Sequence, residues 1–167
     1  MASERVEMDR HPNAVLLEKF YTAFAARDHA TMGFCYLPNA RFEDEVFSLS
    51  GKEIPAMWHM LCQNAQEFKL TFRDVEADDK DGRAHWEADY LFSATGRPVH
   101  NVIDAKILFS KGGILAHKDS FPFWPWARQA LGLPGSLLGW SSFMRNKVRK
   151  TARKNLERFI EKHPEYQ

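Results

Sequence analysis

Apolar positions recur at two different spacings along this chain, and the switch between them marks out its elements. Val15, Leu16, Phe20, Ala23 and Phe24 are three and four residues apart, which predicts an amphipathic helix opened by Pro12. Arg27-Asp28-His29 interrupts it, and Asp28 can cap a second short helix carrying Met32, Phe34 and Cys35. Pro38-Asn39 turns the chain into a short strand from Ala40 to Phe47. A third helix follows from about Glu53 to Gln66, with Ile54, Met57, Trp58 and Leu61 on one face.

Beyond Phe68 the period falls to two. Phe68 to Val75 is a strand, Asp78-Asp79-Lys80-Asp81-Gly82 a charged turn, and Ala84 to Ala94 alternates cleanly. There Trp86, Ala88, Tyr90 and Phe92 share the face expected inside, while His85, Glu87 and Asp89 share the wet one. Two last strands, Val99 to Ser110 and Ile114 to Phe121, flank Lys111-Gly112-Gly113, a hairpin signal. With Lys111-Gly112 as a two-residue loop, residues whose numbers sum to 223 oppose each other, which sets Asp104 against Asp119 on one face. Two such carboxylates repel, so one tends to keep its proton.

The tail has a different character. Phe121 to Trp126 is aromatic and proline-rich, and Leu131 to Trp140 is apolar and punctuated by glycine. Phe143 to Lys162 reads as a basic helix with Met144, Val148, Ala152, Leu156 and Ile160 on its apolar face. The division expected is a flexible stretch over residues 1–11, a pocket domain over 12–123, and an aromatic segment with the basic helix packed on it over 124–167.

Composition adds bounds. A chain of 167 residues with 44% hydrophobic and 13% aromatic content supports one folded domain with a real core. A net charge of +1 gives no global reason to expect nucleic acid. Cys35 and Cys62 are isolated, without metal or redox spacing, and read as reduced core thiols. With no apolar leader or spanning stretch, a cytoplasmic protein is expected. The histidines at 11, 29, 59, 85, 100 and 163 form no ligand-like cluster in sequence, so no metal and no other cofactor is expected.

Helix, helix, strand, helix and then a curved antiparallel sheet is an order that resembles the nuclear transport factor 2-like superfamily, home of ketosteroid isomerase and polyketide cyclases. The resemblance spans about Asn13 to Phe123. It implies an α+β fold in which a cone-shaped curved antiparallel sheet packs on N-terminal helices around an apolar pocket, here with a C-terminal helical extension. Ala40-Arg41-Phe42-Glu43-Asp44 resembles the isomerase segment ending in the proton-shuttling base, which implies that role for Asp44. Ile103-Asp104 resembles the segment bearing the protonated acid of the oxyanion hole. The oxyanion-hole tyrosine position carries Phe20, which cannot donate a hydrogen bond, and adjacent Tyr21 turns to another side of the helix. Asp119 resembles one catalytic aspartate of the epoxide hydrolases, whose arginine and second aspartate fall at Trp86 and Ala88. A homodimer is implied by resemblance.

The candidate catalytic set is therefore Asp44, Asp104, Asp119 and His117, the last with the alternation of Asp119. Phe20, Trp58, Trp86, Tyr90, Phe92 and Phe121 are the candidate substrate-binding wall for a small apolar molecule. Each acid has a plainer reading. Asp44 can serve a turn, with Glu43 or Glu45 inward if the register slips; Asp104 can pair with Lys106 or His100, and Asp119 with Lys118 or a basic residue of the tail. Three functions stay open: a cofactor-free isomerase, cyclase or dehydratase acting on a carbonyl compound; a non-catalytic ligand carrier; or an interaction module using the basic helix. That helix can dock on its own domain or a partner subunit, lie on an anionic membrane, or bind nucleic acid.

Overall fold

A computed structural model describes residues 10–167; the stretch expected to be flexible lies, apart from Arg10 and His11, outside the described residues. The elements run α1 (Pro12–Ala25), α2 (His29–Phe34), β1 (Tyr36–Glu43), β2 (Ser48–Ser50), α3 (Glu53–Asn64), β3 (Gln66–Ala77), β4 (Asp81–Leu91), β5 (Pro98–Ser110) and β6 (Gly113–Ser120). Three helices complete the chain, α4 (Phe123–Leu131), α5 (Leu133–Leu138) and α6 (Ser142–Glu161), followed by a 3-10 turn at Pro164–Tyr166. Local chemistry sets the starts. Pro12 occupies the first turn of α1 while the His11 ring accepts from the Asn13 N–H, and Asp28 caps α2 through Thr31.

The strands form one curved, unclosed sheet in the order β2-β1-β6-β5-β4-β3. β1 and β6 run parallel and every other pair is antiparallel, so the sheet is mixed. β5 anchors it. Val99, Asn101, Ile103, Ala105, Ile107 and Phe109 are buried on one face while the residues between them are exposed. Slipping such a strand by one residue would exchange its two faces, so its register is strongly specified.

Two local departures from the sequence pattern bear on the site. β1 begins at Tyr36, ahead of the predicted Ala40. Its ladder with β6 shifts between Tyr36 and Arg41, around Pro38, which has no N–H to contribute. Glu45 to Phe47, read as strand, instead turns around Asp44: the Val46 and Phe47 N–H groups donate to Asp44 Oδ1 at 2.7 and 2.6 Å.

The final hairpin closes as predicted and then departs. Lys111 and Gly112 have φ of 50° and 75°, the left-handed pair of a two-residue hairpin loop. Phe109 opposes Ile114 and Ser110 opposes Gly113, as the sum of 223 requires. Leu115 is then an extra residue on β6, a bulge, so Leu108 faces Ala116 and Asp104 faces Ser120. Asp119 opposes Ala105 instead of Asp104.

Two cores result. The larger joins α1, α3 and the sheet through residues such as Phe20, Met57, Trp58 and Ile103; the smaller joins Val99 to Phe123, Trp126, Ala130 and Met144 of the tail. α5 crosses α4 at Gly135, where a Cβ would sit 1.9 Å from the Ala127 carbonyl oxygen. α6 buries Met144 and Leu156, and Arg145 and Arg153 reach Glu45 and Glu53 at 3.6 and 2.5 Å. Among the described residues no helix is long and apolar enough to cross a membrane.

Candidate functional site

Between the two cores lies a cavity of about 810 Å³. Trp58 of α3, Trp86 and Tyr90 of β4, Phe92 and Phe121 line it, as the alternation of β4 predicts. Met144 and Val148 of α6 close a further side, so the C-terminal extension is part of the wall. A larger, open groove of about 1050 Å³ crosses the outer sheet face. Charged side chains such as Arg41, Arg83, Lys106 and Lys118 line it; His117 borders it too, but its side chain is only 1% exposed and engages Asp119.

Asp44 and Asp119 both face the inner cavity. Asp119 is 3% exposed and His117 is 2% exposed, deep for ionisable side chains. They hold each other: His117 Nε2 donates to Asp119 Oδ1 at 2.8 Å, and Trp86 Nε1 donates weakly to the same oxygen at 3.4 Å. Behind His117, its Nδ1 lies 2.7 Å from the Tyr36 hydroxyl, which itself accepts from Trp58 Nε1 at 3.1 Å. The directions are mutually consistent. Trp58 can only donate, so the Tyr36 O–H points to His117 Nδ1, which leaves the imidazole proton on Nε2 facing the carboxylate. Indole, phenol, imidazole and carboxylate thus form one line ending at the cavity wall.

Asp44 has a different environment. Burial pushes its carboxyl up to about 7; two backbone N–H bonds oppose the rise, and nearby Asp119 adds to it. A carboxyl poised there can hold or take a proton near neutral pH. Its role in the turn and its place in the cavity coincide, so the plain and the functional readings of Asp44 are both met. Burial also pushes the Tyr36 phenol well above its ordinary value, and that of Tyr90 up to about 12. Trp126 Nε1 donates to the Tyr90 oxygen at 2.9 Å, which leaves the Tyr90 O–H free to donate.

Two sequence candidates stand elsewhere. Asp104 lies on the outer face of β5, between buried Ile103 and Ala105, while the bulge at Leu115 turns Asp119 to the opposite face; the Asp104 side chain is 77% exposed and bonds to His85 Nδ1 at 2.8 Å. Its partner is therefore neither Asp119, Lys106 nor His100, and it has no access to the cavity. Phe20 is 1% exposed and does not line the cavity; it packs edge-on against Tyr36, Trp58 and His117, with centroids 5.6–5.8 Å away. It supports the line of hydrogen bonds from behind. Tyr21 is fully buried against Phe72 and Trp86, and its hydroxyl has no partner among the described residues.

Sequence reasoning missed Tyr36 and Asn101. Asn101 lies on the buried face of β5, lines the cavity, and its amide bonds to none of the described residues. A lone amide in an apolar alternation was the available signal; for Tyr36 there was none. The histidine reading also needs correction: His59 and His163, distant in sequence, meet in space with Glu165.

The fold and site together define a pocketed, cone-shaped α+β protein with two acids on the cavity wall and an imidazole behind one of them. A family model, the SnoaL-like domain, matches residues 17–117, more than half of the chain, and the chain belongs to that family. Among solved structures it is similar to a protein of ketosteroid isomerase-like fold from Catenulispora acidiphila bound to trimethylamine. Identity is 12%, covering 75% of this chain and 96% of that one, at a TM-score of 0.62. An LEH-like epoxide hydrolase of M. tuberculosis shows 14% identity over 78% and 97%, at a TM-score of 0.61. IdmH of Streptomyces antibioticus, a proposed polyketide cyclase, shows 16% identity over 74% and 100%, at 0.60. At these identities the likeness establishes the fold. No curated protein matches the chain.

Proposed function

We propose that the cavity binds a small apolar carbonyl compound and moves a proton on it without a cofactor, as an isomerase, cyclase or dehydratase does. The observation that carries this reading is the placement of Asp44 and the His117-backed Asp119 on one aromatic-walled cavity. Asp44, with its carboxyl near 7, takes a proton from the carbon beside the carbonyl. The electrons move to the carbonyl oxygen, and the Tyr90 O–H and Asn101 amide supply hydrogen bonds for the developing negative charge. Return of the proton to another carbon gives an isomer; its delivery to a departing β-hydroxyl releases water and gives a dehydrated product. Asp119, held by His117 and Tyr36, favours the protonated form of Asp44 and positions polar substrate groups. Asp104 has no part in this scheme.

The test is solvent deuterium exchange at the α-carbon of a panel of cyclic ketones and enones, followed by NMR. Wild type should exchange at least one of them, and Asp44→Asn should slow that exchange by roughly 10²–10⁴-fold. The second reading, a ligand carrier, is favoured by the aromatic walls alone. Tight binding of these ketones with no exchange in any of them would establish it and exclude catalysis.

A further inference from the structure

The C-terminal turn carries a cluster for which the cavity chemistry has no use. After α6 the chain folds back through Pro164–Tyr166 onto α3. There one ring nitrogen each from His59 and His163 and a carboxylate oxygen of Glu165 lie within 4.8 Å of one another. The rings are held in place. His163 Nδ1 donates to the Phe159 carbonyl at 2.7 Å, and its ring stacks on that of Phe159 at 3.8 Å. His59 stacks on His29 at 3.7 Å, and its Nδ1 lies 3.0 Å from the Tyr166 hydroxyl.

These bonds decide which nitrogens remain. A carbonyl only accepts, so the neutral His163 ring keeps its proton on Nδ1 and leaves Nε2 with a lone pair. His59 reaches the same state when its Nδ1–H donates to Tyr166. An imidazole fixed through one nitrogen with the other bare is the usual posture of a metal ligand. His29 lies parallel to His59 at stacking distance, so the two rings cannot both aim an in-plane lone pair at one ion.

We propose that His59, His163 and Glu165 form a site for a divalent transition-metal ion of the zinc class, with water completing the tetrahedron. Two imidazoles and one carboxylate suit zinc, nickel or copper better than magnesium or calcium. Tetrahedral zinc ligands lie about 3.3 Å apart, so side-chain rotation must draw the three groups together. Once bound, the ion clips the end of α6 to α3 and fixes the helix that walls the cavity.

The experiment is titration of the metal-stripped full chain with zinc chloride by calorimetry, and with cobalt chloride by visible absorption. One ion should bind with a Kd below about 10 µM, and cobalt should give the absorption of a four-coordinate site. Glu165→Gln, at an exposed position, and His163→Ala should each weaken binding roughly 10- to 100-fold. His29→Ala should leave it intact. Equal affinity in Glu165→Gln, His163→Ala and wild type, or a wild-type Kd above about 1 mM, would overturn the site. The readout is independent of any activity of the cavity.

A second surface stands on separate observations. Leu133, Leu137, Trp140 and Phe143 are 61–71% exposed within eleven residues, beside the partly exposed Trp124 and Leu138. Phe143 heads the outward stripe of α6, where Lys150 and Lys154 follow at helical spacing, with exposed Lys147 beside them at the rim of the cavity. These lysines have no acidic partner among the described residues, whereas Arg145 and Arg153 on the flank are engaged with Glu45 and Glu53. Exposed tryptophan and leucine beside unpaired lysines complement a lipid interface bearing negative charge. We infer that this face docks on anionic bilayers. Sedimentation with phosphatidylcholine vesicles containing phosphatidylglycerol should capture the full chain, and pure phosphatidylcholine should capture much less. Trp140→Ala with Phe143→Ala, or Lys147→Glu with Lys150→Glu, should release it. Absence of capture, or a concentration-dependent dimer abolished by Trp140→Ala, would overturn the inference.

Discussion

Asp44 illustrates how one side chain can serve the fold and the chemistry at once. Its oxygen satisfies two backbone donors in a turn, yet burial makes ionisation costly and lifts the carboxyl to about 7. The folded state therefore holds this proton more tightly than the unfolded chain, in which the carboxyl ionises near its ordinary value of 3.8. The stability associated with the protonated form is complete below about pH 4 and is lost as pH rises towards 7. Asp44→Asn keeps an oxygen for the backbone donors and has no charge to bury. Its advantage over wild type should be small at pH 4 and reach about 1–3 kcal/mol by pH 7 and above, read from urea melts across that range. A constant difference across the range would mean that Asp44 ionises as freely in the fold as outside it.

At the scale of elements, legibility followed the range of the interactions. Helix starts at Pro12 and Asp28, the alternation of β4 and the left-handed loop at Lys111-Gly112 depend on neighbouring residues, and the pattern displays them. The bulge at Leu115 does not show, because it is settled by how β6 fits β5 on one side and β1 on the other. That is why the sequence pattern sets Asp104 against Asp119 on one face, whereas the fold sets them on opposite faces. Tyr36 was invisible for a similar reason: its value lies in reaching His117, 81 residues later. The crossing of α4 and α5 is a close fit between consecutive helices, and it can be tested. Gly135→Ala would drive a methyl into the Ala127 carbonyl, so the helices must separate. The expected outcome is a loss of about 2–4 kcal/mol, with the Trp126 fluorescence shifting to the red.

Over the whole molecule, the cavity is shared property. The sheet, the turn after β1 and α3 supply its acids and most of its rings, and the tail supplies Met144, Val148 and Trp126. Family resemblance reaches only as far as residue 117 in the matched region, yet the wall continues beyond it. Leu156, fully buried, belongs to the larger core even though it sits on α6. Tail and pocket should accordingly unfold together. Leu156→Ala should cost about 2–5 kcal/mol and lower a single transition seen alike by circular dichroism and tryptophan fluorescence. Two separated transitions would show that α6 melts on its own.

The hairpin also has an arithmetic consequence. A strand shows its residues alternately inward and outward, so each position has a parity, and Leu115 is the one residue that switches the parity of β6 against β5. β5, buried at every second residue, is too strongly patterned to yield. A chain whose Leu115 took a regular place opposite Leu108 would have the same composition and turn, and the same claim to the family. Its His117 and Asp119 would point outward beside Asp104, and Lys118 and Ser120 would turn inward in their place. In this fold a change of chemistry can therefore be spelled by register, with every functional residue still present in the sequence.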